Sequence, residues 1–181
     1  AARLNYNDYA LEDTPKRNGV IAMIRKLQAQ GIPITGIGSQ MHVKLESPTL
    51  EQADTALSEL EQLNLKVMVT ELDVDVLPDA RDYRGVDLGT NLVLRARLDP
   101  YTNGLPRSVQ QTLAERYAGL FRVFLKHRDS IERVTFRCVT DGDSWLNYWP
   151  VSPRTAYPLL FDRQGLPKPA FDAVIAVGRG K

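Results

Sequence analysis

Glu71 and Asp73 stand two residues apart at the end of Lys66-Val67-Met68-Val69-Thr70-Glu71-Leu72-Asp73. Lys66 to Val69 is mostly apolar and β-branched, without Pro or Gly, and reads as a strand buried on both faces. The i, i+2 spacing puts both carboxylates on one face of that strand. Two charges at the mouth of a buried strand are costly unless paired or used. The uses open to a carboxylate there are nucleophilic attack and proton transfer. The plainer alternative is a strand that simply exits into a polar loop.

The elements around this stretch repeat its design. Arg3 to Tyr9 reads as a short strand leading into Asn7-Asp8-Tyr9. Thr14-Pro15 reads as a helix start, with Thr14 as N-cap. Val20, Ile21, Ile24 and Leu27 mark one helical face, and Gly31 supplies the stop. Ile34 to Val43 reads as a second strand, interrupted by Gly36 and Gly38 and carrying Gln40-Met41-His42. Thr49 and Gln52 form a capping box ahead of a helix with a Leu50, Ala53, Leu57 and Leu60 stripe.

The segment from Asp75 to about Arg107 is polar and reads as a long loop. Ser108 and Gln111 suggest another capping box, followed by the stripe Val109, Leu113, Tyr117, Leu120, Phe121 and Phe124. Ile131 to Thr140 reads as the fourth strand, ending Asp141-Gly142-Asp143-Ser144-Trp145. No further spaced acid follows, which argues against a calcium loop. Tyr148 to Leu166 is aromatic, Pro-rich loop, and Ala170 to Val177 is a short closing helix introduced by Pro169.

Strand and helix thus alternate four times, with polar and aromatic residues after each strand. That argues for a parallel α/β sheet with its chemistry at the C-terminal strand ends. A doubly wound nucleotide-binding fold would want a Gly-rich turn between its first strand and helix. Asp8-Tyr9-Ala10-Leu11-Glu12-Asp13 is acidic and glycine-free, and no dinucleotide or P-loop fingerprint occurs.

The chain has 181 residues, 43% hydrophobic and 25% charged, the profile of one ordinary globular domain. A net charge of +1 gives no argument for nucleic acid or an anionic membrane. No apolar run spans a bilayer. The single Cys138 excludes an internal disulfide framework. Ala1 to Asn5 lacks the layout of a signal peptide, as a mature or truncated chain also would.

Asn7-Asp8-Tyr9, Gly36-Ile37-Gly38-Ser39-Gln40-Met41-His42, Val69-Thr70-Glu71-Leu72-Asp73 and Val139-Thr140-Asp141-Gly142-Asp143-Ser144-Trp145 occur in an order that resembles family-10 glycoside hydrolases. The tail Tyr157 to Asp162, then Lys168-Pro169-Ala170-Phe171, is also similar to that family. The resemblance implies retaining endo-β-1,4-xylanases on a (β/α)8 barrel, acting on xylan or xylo-oligosaccharides without cofactor or metal. It also implies export from the cell. Residues 1–181 would form strands 5–8, the C-terminal (β/α)4 half of the barrel.

By the same resemblance Glu71 matches the catalytic nucleophile, which forms a glycosyl-enzyme intermediate. His42 and Asp73 match residues that keep it ionised and aimed. Gln40 matches a polar residue near the second carboxylate. Asn7 and Tyr9 match positions on the leaving-group side of the cleft. Trp145 matches an aromatic platform over the sugar, whose C–H faces suit an indole.

Two features depart from the family pattern. The acid/base Glu lies in a Trp-x-x-x-Asn-Glu motif, and no Asn-Glu dipeptide occurs in this chain. Asp8, Glu12 and Glu46 follow strand ends without any recognisable context. Also, Phe136-Arg137-Cys138-Val139 stands where the family has Phe-Trp-Gly-Val, which puts Arg137 at a sugar-binding position. Two functions follow: the nucleophile-bearing half of a xylanase, or an inactive half-barrel that binds sugar weakly or self-associates. Open strand edges, with an apolar barrel-facing surface of Ile34, Ile37, Val67, Val69, Val134 and Phe136, would recruit a homodimer partner or a complementing N-terminal half.

Overall fold

The computed structural model describes residues 3–180. They divide into two compact units, the first formed by residues 3–73 with 119–137 and the second by 74–118 with 138–180.

The first unit is built on a parallel sheet. Strands β1 (Leu4–Asp8), β2 (Ile34–Ser39) and β4 (Lys66–Asp75) pair in that order, and β5 (Ile131–Phe136) pairs with β4. Strand β3 (His42–Lys44) is the other neighbour of β4. Helices α1 (Thr14–Ala29), α2 (Leu50–Glu61) and the last turns of α4 (Arg107–Lys126) belong to this unit.

Val67, Val69, Ile37 and Leu72 are fully buried, and Phe136 stacks on Phe121 of α4 at 6.2 Å. The apolar face of the sheet is therefore covered by helices. This corrects the expected apolar barrel-facing surface. Alternation puts Ile37, Val67 and Val69 on the helix side, while Asn5, Asn7, Arg133 and Thr135 are exposed. The uncovered face is polar.

Three local expectations change. Asp13, not Thr14, caps α1 by accepting from Lys16 N, so Thr14 is the first helical residue. The expected strand 34–43 is two strands, because Met41 takes a left-handed φ of +59° and breaks the ladder. Ser108 lies inside the first turn of α4, and Gln111 bonds Glu115, so no capping box forms there. The box at Thr49 and Gln52 does form.

In the second unit the expected loop 75–107 contains α3 (Leu92–Leu98), capped by Asn91 accepting from Leu94 N. Leu88, Leu98, Ala80 and Val151 form a small core beneath it. The chain leaves β5 at Phe136, and Cys138 has a φ of +83°, which ends the expected strand 131–140 early. Helix α5 (Pro169–Gly178) starts on its proline as expected.

A buried ion pair anchors this unit. Lys168 Nζ lies 2.9 Å from Asp141 Oδ2 and also donates to Tyr157 O and Leu159 O. Asp141 in turn accepts from Leu159 N. Burial pushes the Asp141 carboxyl up and the Lys168 ammonium down, and their mutual attraction opposes both shifts. The pair and its hydrogen bonds commit Asp141 to the structure of this unit.

Candidate active site

Strand β4 places the two acids, and a local irregularity decides where they point. Its pairing with β5 shifts register between Val69 and Leu72. Both of those residues are fully buried, so the two between them, Thr70 and Glu71, fall together toward the polar side. Such a bulge re-aims a side chain at the expense of one ladder position. Glu71 N donates to Gln40 O at 3.0 Å, and Gln40 N donates to Asp8 O at 3.0 Å, which ties the ends of β1, β2 and β4 together.

His42 sits between the acids. Its Nδ1 lies 3.0 Å from Asp73 Oδ1 and its Nε2 lies 3.5 Å from Glu71 Oε2. An ionised Asp73 only accepts, so Nδ1 carries a proton. Nε2 then faces the Glu71 carboxylate and gains by binding a second one. Burial of the ring opposes its charge, but the Asp73 hydrogen bond and the charges of Asp73 and Glu71 outweigh it, and the pKa is raised. Arg137 takes back part of that gain.

Arg137 Nε lies 3.3 Å from the same Glu71 Oε2. Two cationic groups thus approach one oxygen of Glu71. Oε1 has no partner among the described residues, and the side chain is 24% exposed. Glu71 thus has one oxygen flanked by two nitrogen groups and the other open to the surface. Asp73 is 1% exposed.

The remaining expected residues are placed as follows. Asn7 accepts at 2.7 Å from Thr70 Oγ1, immediately beside Glu71. A side chain at Gly38 would come within 2.4 Å of Asn7 Oδ1 and 2.8 Å of Thr70 Cγ2, so the Asn7–Thr70 contact would have to shift to admit one. Gln40 joins through its main chain, as above. Tyr9 is 60% exposed at the end of β1, with the Lys16 ammonium 3.4 Å above its ring, and is not drawn to Glu71. Trp145 belongs to the second unit, half-buried in a 3-10 turn capped by Ser144. Thr70 was missed by sequence reasoning; only the bulge reveals its side chain, and no motif announces that.

In the second unit a groove of about 360 Å³ is lined by Tyr157, Arg163, Lys168 and neighbours. Arg163 there donates to Asn147 Oδ1 and Ala156 O, and Lys168 is fully engaged. Among the described residues no three His, Cys, Asp or Glu side chains are grouped to hold a metal ion. No described helix is long and apolar enough to cross a membrane.

The fold at this site is a parallel α/β sheet with a half-held carboxylate at its strand ends. The model for glycosyl hydrolase family 10 matches residues 1–177, and the chain belongs to that family. It is 38% identical over 174 residues to endo-1,4-beta-xylanase A of Xylanibacter ruminicola, covering 96% of this chain and 47% of that protein. A GH10 endoxylanase retrieved from sugarcane soil metagenome superposes with a TM-score of 0.89 at 39% identity, covering 99% of this chain and 50% of that one. A mutant solved in complex with xylotriose gives 0.80 at 31% identity, covering 96% and 48%. The chain spans about half the length of the relatives it matches.

Proposed function

We propose that this chain is the nucleophile-bearing part of a retaining xylan-degrading endo-β-1,4-glycosidase, the C-terminal (β/α)4 half of a (β/α)8 barrel. The observation that carries the reading is Glu71 itself: Oε2 is flanked by His42 and Arg137, and Oε1 is open. In this reading Oε1 attacks the anomeric carbon, the C–O bond to the leaving group breaks, and a glycosyl ester forms on Glu71. Asp73 orients His42, and His42 holds Glu71. Asn7, Tyr9, Gln40 and Trp145 contribute to the sugar cleft.

Retaining hydrolysis needs a second carboxyl group about 5 to 5.5 Å from the first, to protonate the leaving oxygen. Asp73 is committed to His42 and cannot serve. The acid/base therefore comes from a further segment, and xylan turnover by this chain alone is expected to be absent. Strand β1 pairs only with β2, and β5 only with β4, among the described residues. Such open edges recruit another chain, so a complementing half or a second copy completes the sheet. Light scattering that shows only a 20.3 kDa monomer would remove the assembly part of this reading.

The nucleophile can be tested without the missing acid. A dinitrophenyl β-xylobioside has a leaving group that needs no proton. One equivalent of dinitrophenolate per chain is expected, with a matching mass gain on the peptide that contains Glu71. Glu71→Gln should show neither. Release without labelling, or a label elsewhere, would assign the nucleophile to another residue. No reaction with either protein would favour the inactive, sugar-binding half-barrel.

A further inference from the structure

Arg137 stands at the exit of β5 and lies against Glu71. Its Nε faces Glu71 Oε2 at 3.3 Å, its main-chain N donates to Leu72 O at 3.1 Å, and its side chain is 51% exposed. Its two terminal nitrogens have no partner among the described residues. The guanidinium is a planar fork whose outer edge matches a carboxylate with two parallel hydrogen bonds. Here one side of the fork is fixed against Glu71 and the other edge is open. Arg137 presents Nε to Glu71 and leaves its terminal edge open.

We propose that Arg137 makes the site selective for an acidic sugar, one whose carboxylate lies on or next to the unit held at Glu71. The proposal rests on the reading of Glu71 as the centre of a sugar cleft and deepens it. Glu71 would repel a second carboxylate placed beside it. The Arg137 charge between them cancels that repulsion and adds a two-pronged contact. An aromatic residue at this position offers a face to any sugar ring and no preference for charge. The substitution therefore exchanges stacking for charge recognition.

The test is binding to the full chain by calorimetry or NMR, with three probes. One is a xylo-oligosaccharide carrying a hexuronic acid, the second is the neutral oligosaccharide of the same length, and the third is the free hexuronate. The acidic oligosaccharide is expected to bind about tenfold more tightly than the neutral one, with the preference shrinking as salt rises. In Arg137→Gln the ratio should fall to one or below. Arg137→Lys should retain part of it, since a point charge remains without the fork. Equal affinity for the two oligosaccharides, or a preference that survives Arg137→Gln, overturns the proposal and leaves the sugar cleft standing. Free hexuronate binding as tightly as the acidic oligosaccharide also overturns it, by reducing the site to simple anion pairing. If neither oligosaccharide binds, the sugar-cleft reading falls and takes the proposal with it.

Discussion

The two units each bring a carboxylate and a cation together, with opposite finish. Asp141 and Lys168 are buried, and the ammonium donates to Asp141, Tyr157 O and Leu159 O. Glu71 and Arg137 touch through one atom each, and both keep open atoms facing outward. The first pair is closed and has nothing left to give a ligand. The second is open at both ends. Residue type does not separate a structural ion pair from a reactive one; the count of unsatisfied atoms does.

The comparison breaks most visibly at Lys168. Lys168→Met leaves Asp141 charged and buried, and should cost roughly 3–5 kcal/mol in urea unfolding. A loss under about 1 kcal/mol would mean that the pair is not closed after all.

His42→Gln should come next. It removes a charge-assisted hydrogen bond to Asp73, at roughly 1–3 kcal/mol. The sign of its pH dependence follows from the raised pKa. The stabilisation is fully present below the unfolded value of about 6.5 and is lost as pH rises through the higher folded value. The melting difference between native and variant protein should therefore be largest in mild acid and shrink above neutrality. A difference that grew with pH would reverse the assignment of the charged ring.

Cys138→Gly relieves a left-handed residue with φ +83° and should stabilise by about 1 kcal/mol. Glu71→Gln sharpens the contrast from the other side. Its thermal stability should stay within about 0.5 kcal/mol of the native protein, because Glu71 is partly exposed and its two ion contacts are long.

Much of this was legible in the sequence. Apolar runs and stripes located β1, β2, β4, β5 and helices α1, α2, α4 and α5, because burial imposes a pattern that sequence displays. The Thr49 box and the Pro169 start were readable because they are local chemistry. Helix α3 was hidden, since Leu92-Val93-Leu94-Arg95-Ala96-Arg97-Leu98 is only seven residues long and lies among Asp and Gly. The polar face was misjudged because Ile37, Val67 and Val69 carry no label saying which side the helices cover. The cluster of Glu71, His42 and Asp73 came from motif resemblance. Its finish, one oxygen held and one open, depends on the bulge at Thr70 and Glu71 and on Met41, where backbone departs from the regular period.

The central place of β4 also sets a timetable for synthesis. Its neighbours β2 and β3 precede it in the chain, but β5 follows only after residue 130. Arg3 and Glu132, joined by two hydrogen bonds, are separated by 129 positions. On a ribosome, Glu71 would emerge and find His42 long before Arg137 exists to meet it. Pairings this distant in sequence form slowly, because the intervening chain must be ordered first. The nascent protein thus passes through an interval in which Glu71 is assembled on one flank only.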